Sequence, residues 1–143
     1  MAGWLALGFL AGMANAVQGA VNAQLRAAVR DPLWATLLSF LVGTAALVLL
    51  IAALRSPVPA QLPTRPVVWT GGLLGVVFVC AAIVLVPRIG AGTMIGLMVA
   101  GQMAAALLLD QFGLLGVPQH PTTLPRMAGA VLVVAGVLLL RLT

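Results

Sequence analysis

Few side chains in this sequence are equipped for chemistry, and most of those are carboxamides. Asn15, Gln18 and Asn22 recur at spacings of three and four, which places them on one face of a helix. Gly8, Gly12 and Gly19 lie beside them on the helical wheel. Carboxamides are costly in lipid and turn toward a protein interior or a wet cavity. Neighbouring glycines let another helix or a ligand approach closely. Two roles fit this face: the polar wall of a solute pathway, or hydrogen bonds that hold a helix bundle together.

Gln102 is a fourth carboxamide. It follows Gly101 in a segment rich in small residues, Gly90-Ala91-Gly92-Thr93, then Gly96, then Ala100-Gly101. Such a backbone bends easily. A local break beside Gln102 would expose carbonyls to a ligand; otherwise this is a tightly packed helix with Gln102 as a structural donor. Asp110 is the one carboxylate near an apolar segment. It suits a coupling-ion or proton site, or a partner for an interfacial Arg. Asp31 precedes Pro32 and reads as a helix cap, and His120, between Pro118 and Pro121, reads as solvated. The single cysteine, Cys80, sits in an apolar run as a packing residue. No nucleophile–base pair and no His/Cys/Asp cluster occurs, so neither an enzyme, a metal site nor a cofactor is expected. A proton-coupled cation exchanger needs a central carboxylate, and the first three apolar segments have none.

The elements that must position these groups are membrane helices. Hydrophobic residues make up 63% of the chain and charged residues 6%, against about 25% charged in a soluble domain. With so few charges no water-facing surface is built, and lipid is the natural solvent. A bilayer core of about 30 Å takes roughly 20 apolar residues in a helix. Five segments meet or approach that length, at about residues 2–25, 34–54, 67–87, 89–109 and 124–142. The fold expected is all-α and integral to the membrane, one five-helix domain over residues 1–143. The last span has a short uncharged stretch, Met127 to Leu140, flanked by Arg126 and Arg141, both placed to snorkel to the headgroups. The first segment has the small-x-small pattern Ala14-Asn15-Ala16, but no positive residue precedes it and it is too long for a signal-peptide core, so it is expected to stay as a helix. Gly71 and Gly75 form a small-xxx-small pair for helix packing, and Gly92 and Gly96 have the same spacing.

The connections are short. Arg30-Asp31-Pro32 and Pro87-Arg88-Ile89-Gly90 read as tight turns. Residues 56–66 hold four prolines and should be extended. Residues 111–123 form the longest connection, partly apolar and suited to the interface. Five spans put the termini on opposite sides. Arg55, Arg65 and Arg126 then face one side, and Arg26, Arg30, Arg88 and Arg141 the other. Orientation follows a clear Lys/Arg bias, and three against four is close to none. The expectation is dual topology, with an inverted copy supplying the second repeat of a ten-helix transporter. The arginines are scattered singly between apolar runs, so nucleic acid is not an expected partner.

Several motifs, taken in order, carry a family resemblance. They are Gln18-Gly19-Ala20-Val21-Asn22-Ala23-Gln24-Leu25, Pro32-Leu33-Trp34-Ala35 and Ser39-Phe40-Leu41-Val42-Gly43-Thr44 in the first half. Gly71-Gly72-Leu73-Leu74-Gly75, Pro87-Arg88-Ile89-Gly90-Ala91, Ala100-Gly101-Gln102 and Leu109 to Gly116 follow, with Gly129 and Gly136 in the last helix. This ordered set resembles the YdcZ (DUF606) family, a branch of the drug/metabolite transporter superfamily, over nearly the whole chain. The resemblance implies five-helix bacterial inner-membrane proteins that occur as dual-topology homodimers, as oppositely oriented pairs, or as fused ten-helix proteins. Gln18, Asn22, Gln102 and Asp110 fall at its motif positions, without assigned roles. The family often has His after the Asp, where this chain has Gln111.

The function expected is secondary transport of a small polar or weakly charged solute by an antiparallel homodimer working through alternating access. Asn15, Gln18, Asn22 and Gln102 would line the pathway, with Asp110 as a possible coupling site. A dual-topology channel with a fixed pore, or a non-transporting membrane partner of another protein, are the alternatives.

Overall fold

The structure, a computed structural model, describes residues 2–142, with side chains through residue 140. The side chain of Arg141, expected to flank the last span, lies outside the described residues. The described residues form five α-helices and no strand. These are α1 (Ala2–Val29), α2 (Pro32–Ala53), α3 (Thr70–Ile89), α4 (Ala91–Phe112) and α5 (Leu124–Leu142). Four helical elements are long and apolar enough to cross a membrane: Ala2–Val29, Pro32–Ala53, Pro66–Ile89 and Ala91–Phe112. The fifth apolar helix, Leu124–Leu140, is shorter.

Helix boundaries follow local chemistry more closely than the apolar runs do. α1 continues four residues past the expected end at Leu25. Leu25 and Val29 pack against a buried cluster, and Arg26 in the last turn suits the negative end of the helix dipole. The helix stops at Arg30, which adopts a left-handed conformation (φ 61°) with its N–H donating to the Arg26 carbonyl at 2.7 Å. α2 then starts at once, two residues before the expected Trp34. Pro32 occupies the first turn, and the Asp31 carboxylate caps it by accepting from the Trp34 N–H at 2.9 Å. At the far end of α2, Arg55 (φ 50°) holds the left-handed position of a Schellman closure. Its N–H donates to the Ala52 carbonyl, and that of Ser56 to the Ile51 carbonyl.

The proline-rich connection forms no helix before Pro66, as expected, and bends at Ala60 and Gln61; a 3-10 turn at Pro66–Trp69 leads into α3. One expectation needs correction. Residues 87–90 do not form a turn, because α3 runs through Pro87 to Ile89. In the last helical turn the missing Pro N–H leaves the Ile83 carbonyl without its usual donor and does little else. The break is Gly90 alone, at φ 80° and ψ 155°, a conformation that side chains oppose.

The packing divides into two units, α1–α3 and α4–α5. In the first, Ala35, Val79 and Ile83 are buried, with Leu25, Val29 and Phe78 packed around them. Leu25, Val29 and Ala35 lie where α1 ends and α2 begins, and Phe78, Val79 and Ile83 lie from the middle of α3 onward. At the other end residues 2–14 and 41–74 are all exposed, so the unit is closed at one end and open at the other. In the second unit α4 and α5 meet through Gly96, where an added Cβ would come within 2.8 Å of Val137 Cγ2. Val137 is buried.

Candidate functional site

Burial separates the three carboxamides that share a face of α1. Asn22 is buried (5% exposed), Asn15 is half-buried and Gln18 is exposed. Gly19, Asn22, Leu25 and Val29 form the inward stripe of this helix, so Asn22 sits one turn from the apolar cluster. Gln18 instead opens onto a groove of about 430 Å³ between α1 and α2. Ser39 and Thr44 are its other polar members, Phe40 and Gly43 lie between them in sequence, and Leu47 and Leu50 extend it along α2. No ionisable side chain lines it. Neither Gln18 nor Asn22 has a side-chain hydrogen bond among the described residues, so both keep donor and acceptor groups available. The groove can therefore hold an uncharged hydrogen-bonding group beside an aromatic ring and an apolar wall.

Ser39 and Thr44 were not anticipated as pathway residues. The signal lay in the sequence as two hydroxyls inside an otherwise apolar span, flanking Gly43. A third hydroxyl on α2 has a different use. The Thr36 Oγ1 donates to the Pro32 carbonyl at 2.8 Å and lies 3.0 Å from Cys80 Sγ. With the hydroxyl proton committed to Pro32, the thiol is the donor in that second contact. Cys80 thus ties α3 to α2 as well as filling space.

Gln102 is exposed on α4, and the helix is unbroken through Gly101 and Gln102, so the expected local break is not present. Asp110 lies in the last turn of α4, where its Oδ2 accepts from Arg126 Nη2 at 2.6 Å. The same guanidinium donates through Nη1 to the His120 carbonyl at 3.2 Å. Gln111 holds the connection from inside: its Oε1 accepts from the Thr122 N–H at 2.6 Å, and its carbonyl accepts from Gln119 Nε2 at 2.9 Å. The His120 N–H returns to the Asp110 carbonyl at 2.8 Å, while the imidazole is exposed as expected. Residues 111–123 are thus folded back onto the end of α4. Beneath the ion pair lies a crevice of about 410 Å³, floored by Ala106, Leu107, Gly129 and Ala130.

The glycines expected to pack helices divide as well. Gly96 meets Val137, Gly75 would place a Cβ 3.5 Å from the Phe40 ring, and Gly19 is buried. Gly8, Gly12, Gly71 and Gly92 have nothing among the described residues within 4 Å of an added Cβ. Among the described residues no group of His, Cys, Asp or Glu is placed to hold a metal ion.

A family model described as "Putative inner membrane exporter, YdcZ" matches residues 3–139. The chain belongs to the YdcZ family. No curated protein and no solved structure matches it. As a YdcZ protein it is a multi-pass protein of the inner membrane, and its many exposed Leu, Val, Ile and Phe side chains are the surface that lipid requires. The family is described as one of membrane exporters, not as a family of enzymes.

Proposed function

We propose that this YdcZ protein exports a small polar or weakly charged solute, and that two inverted copies, each acting as one membrane domain, form the transporter. The observation that carries transport is the family match over residues 3–139. Three against four arginines on the two sides supports insertion in both orientations, and an inverted copy would supply the second half of a pathway near the bilayer midplane. The groove beside Gln18 gives the solute chemistry. A carboxamide and two hydroxyls on a wall without charge favour a solute that hydrogen-bonds and carries little net charge, since a bare ion there would lack a counter-charge. On α1 the half-buried Asn15 continues the polar face, whereas Asn22 is buried behind it; Gln102 is an exposed carboxamide of the second unit. Asp110 is already neutralised by Arg126, so we place it outside the solute path and give it the role argued below.

Purified protein in proteoliposomes tests this reading with a panel of neutral, zwitterionic and singly charged solutes. Flux that saturates and accelerates when solute is present on the far side supports alternating access. Conductance that rises linearly with concentration would instead make the assembly a channel. Protein that moves nothing yet co-purifies with one membrane protein would make it that protein's partner.

A further inference from the structure

We propose that the Asp110–Arg126 ion pair is what allows the short fifth helix to cross the membrane. The uncharged part of α5, Met127–Leu140, has 14 residues, about 21 Å at 1.5 Å per residue. That falls well short of a hydrocarbon core of about 30 Å. An unpaired Arg126 would have to stay among the headgroups and would hold the start of α5 there.

In the structure Arg126 does not reach away from the bundle. Its guanidinium is turned to Asp110 and to the His120 carbonyl, although its side chain remains 40% exposed and that of Asp110 22%. With the charge cancelled, the usable span becomes Leu124–Leu140, about 26 Å, and its 17 residues meet the lower limit for a crossing helix. The two residues gained toward the connection, Leu124 and Pro125, are apolar. The fold supplies the partner at the right place because Asp110 is in the last turn of α4, and the bonds of Gln111 bring the chain back to it. Whether α5 crosses decides which side the carboxyl terminus occupies, and so whether an inverted copy presents five spans or four. The inference does not depend on what the protein transports.

The test counts labels per chain. A variant carrying Cys80→Ser, Gln61→Cys and one cysteine appended after Thr143 is treated in spheroplasts with a membrane-impermeant polyethylene-glycol maleimide. If α5 crosses, each chain has one cysteine outside whatever its orientation, and every chain shows a single gel shift. If α5 stays out, both cysteines share a side, and chains shift twice or not at all. The parent is expected to shift once. Asp110→Asn, which leaves Arg126 charged and alone, is expected to lose the single shift in favour of double and unshifted chains. Arg126→Gln and the double variant Asp110→Asn/Arg126→Gln are expected to keep it, because no bare cation remains. A parent without the single shift overturns the proposal, as does Asp110→Asn that shifts once like the parent. A double variant that fails as Asp110→Asn does also overturns it, since the pair would then act by fixing the connection and not by cancelling charge.

Discussion

Two regions of this protein treat polar side chains in opposite ways. In α1–α3 the carboxamides of Gln18 and Asn22 make no hydrogen bonds among the described residues, and Gln18, Ser39 and Thr44 open onto a groove without charge. In α4–α5 the charged and carboxamide groups at the helix ends are consumed locally: Arg126 by Asp110 and His120, Gln111 by Thr122 and Gln119. Polar groups in a membrane protein are either kept for a ligand or spent on the fold. Asp31 and Thr36 in the first unit are also spent on the fold, and Gln102 in the second is exposed, so the contrast is between the groove beside Gln18 and the ends of α4 and α5. The two units differ in packing as well. The first unit is closed at one end only, whereas the second is locked along its helices by Gly96 against Val137.

The largest effects are expected where the second unit is locked. Gly96→Leu forces a side chain into a space already filled by Val137 and should separate α4 from α5. Overpacking of this kind costs about 1–3 kcal/mol or more, read as a loss of monodisperse protein and a lower Tm in detergent. Gly96→Ala should be milder and should recover when combined with Val137→Ala, whereas Gly8→Ala, with nothing within 4 Å, should leave Tm unchanged. If Gly96→Leu is as stable as the parent, the two units are not packed differently.

Next in size is Gln18→Ala in the open unit. Losing one solute hydrogen bond of about 1.5 kcal/mol corresponds to roughly tenfold weaker transport. Because Gln18 is exposed and its side chain makes no hydrogen bond among the described residues, Tm should stay within experimental error. A fall in Tm without a fall in flux would move Gln18 to the structural class and erase the contrast. Asp31→Ala removes the cap that accepts from Trp34 N–H and should cost about 1 kcal/mol, with flux per folded molecule unchanged. The smallest effect is expected at Cys80. Cys80→Ala loses the contact to Thr36, and interhelical hydrogen bonds in membranes are worth about 0.6 kcal/mol. Cys80→Ser should retain most of it, which makes serine the better background for labelling.

Much of this was legible in the sequence, for identifiable reasons. Apolar length marks helices and proline excludes them, so five helices and a connection without helix over residues 56–65 were read correctly. The cap at Asp31 was read from a side chain followed by proline. The end of α1 was not, because Arg26 interrupts the apolar run while Leu25 and Val29 still pack against the buried cluster of Ala35, Val79 and Ile83. Pro87 suggested a turn, but proline near a helix end removes little, and the glycine three residues on was the true break. At the candidate site, period placed Asn15, Gln18 and Asn22 on one face, yet only packing separates the buried Asn22 from Gln18 in the groove. Ser39 and Thr44 joined that groove through α2, a neighbour the pattern of α1 does not name. The folded connection of residues 111–123 was hidden because its bonds go mainly to backbone groups, which leave no mark in residue types.

The measurement that tests the central claim most directly is labelling of a single cysteine, Gln61→Cys in a Cys80→Ser background, from each side of the membrane. Residue 61 is exposed in the connection between α2 and α3, so its reactivity reports orientation. Part of the population should be labelled by impermeant reagent from outside and the remainder only after the membrane is opened, because the arginine balance favours neither orientation. Labelling from one side only would contradict an exporter built from two inverted copies of this chain.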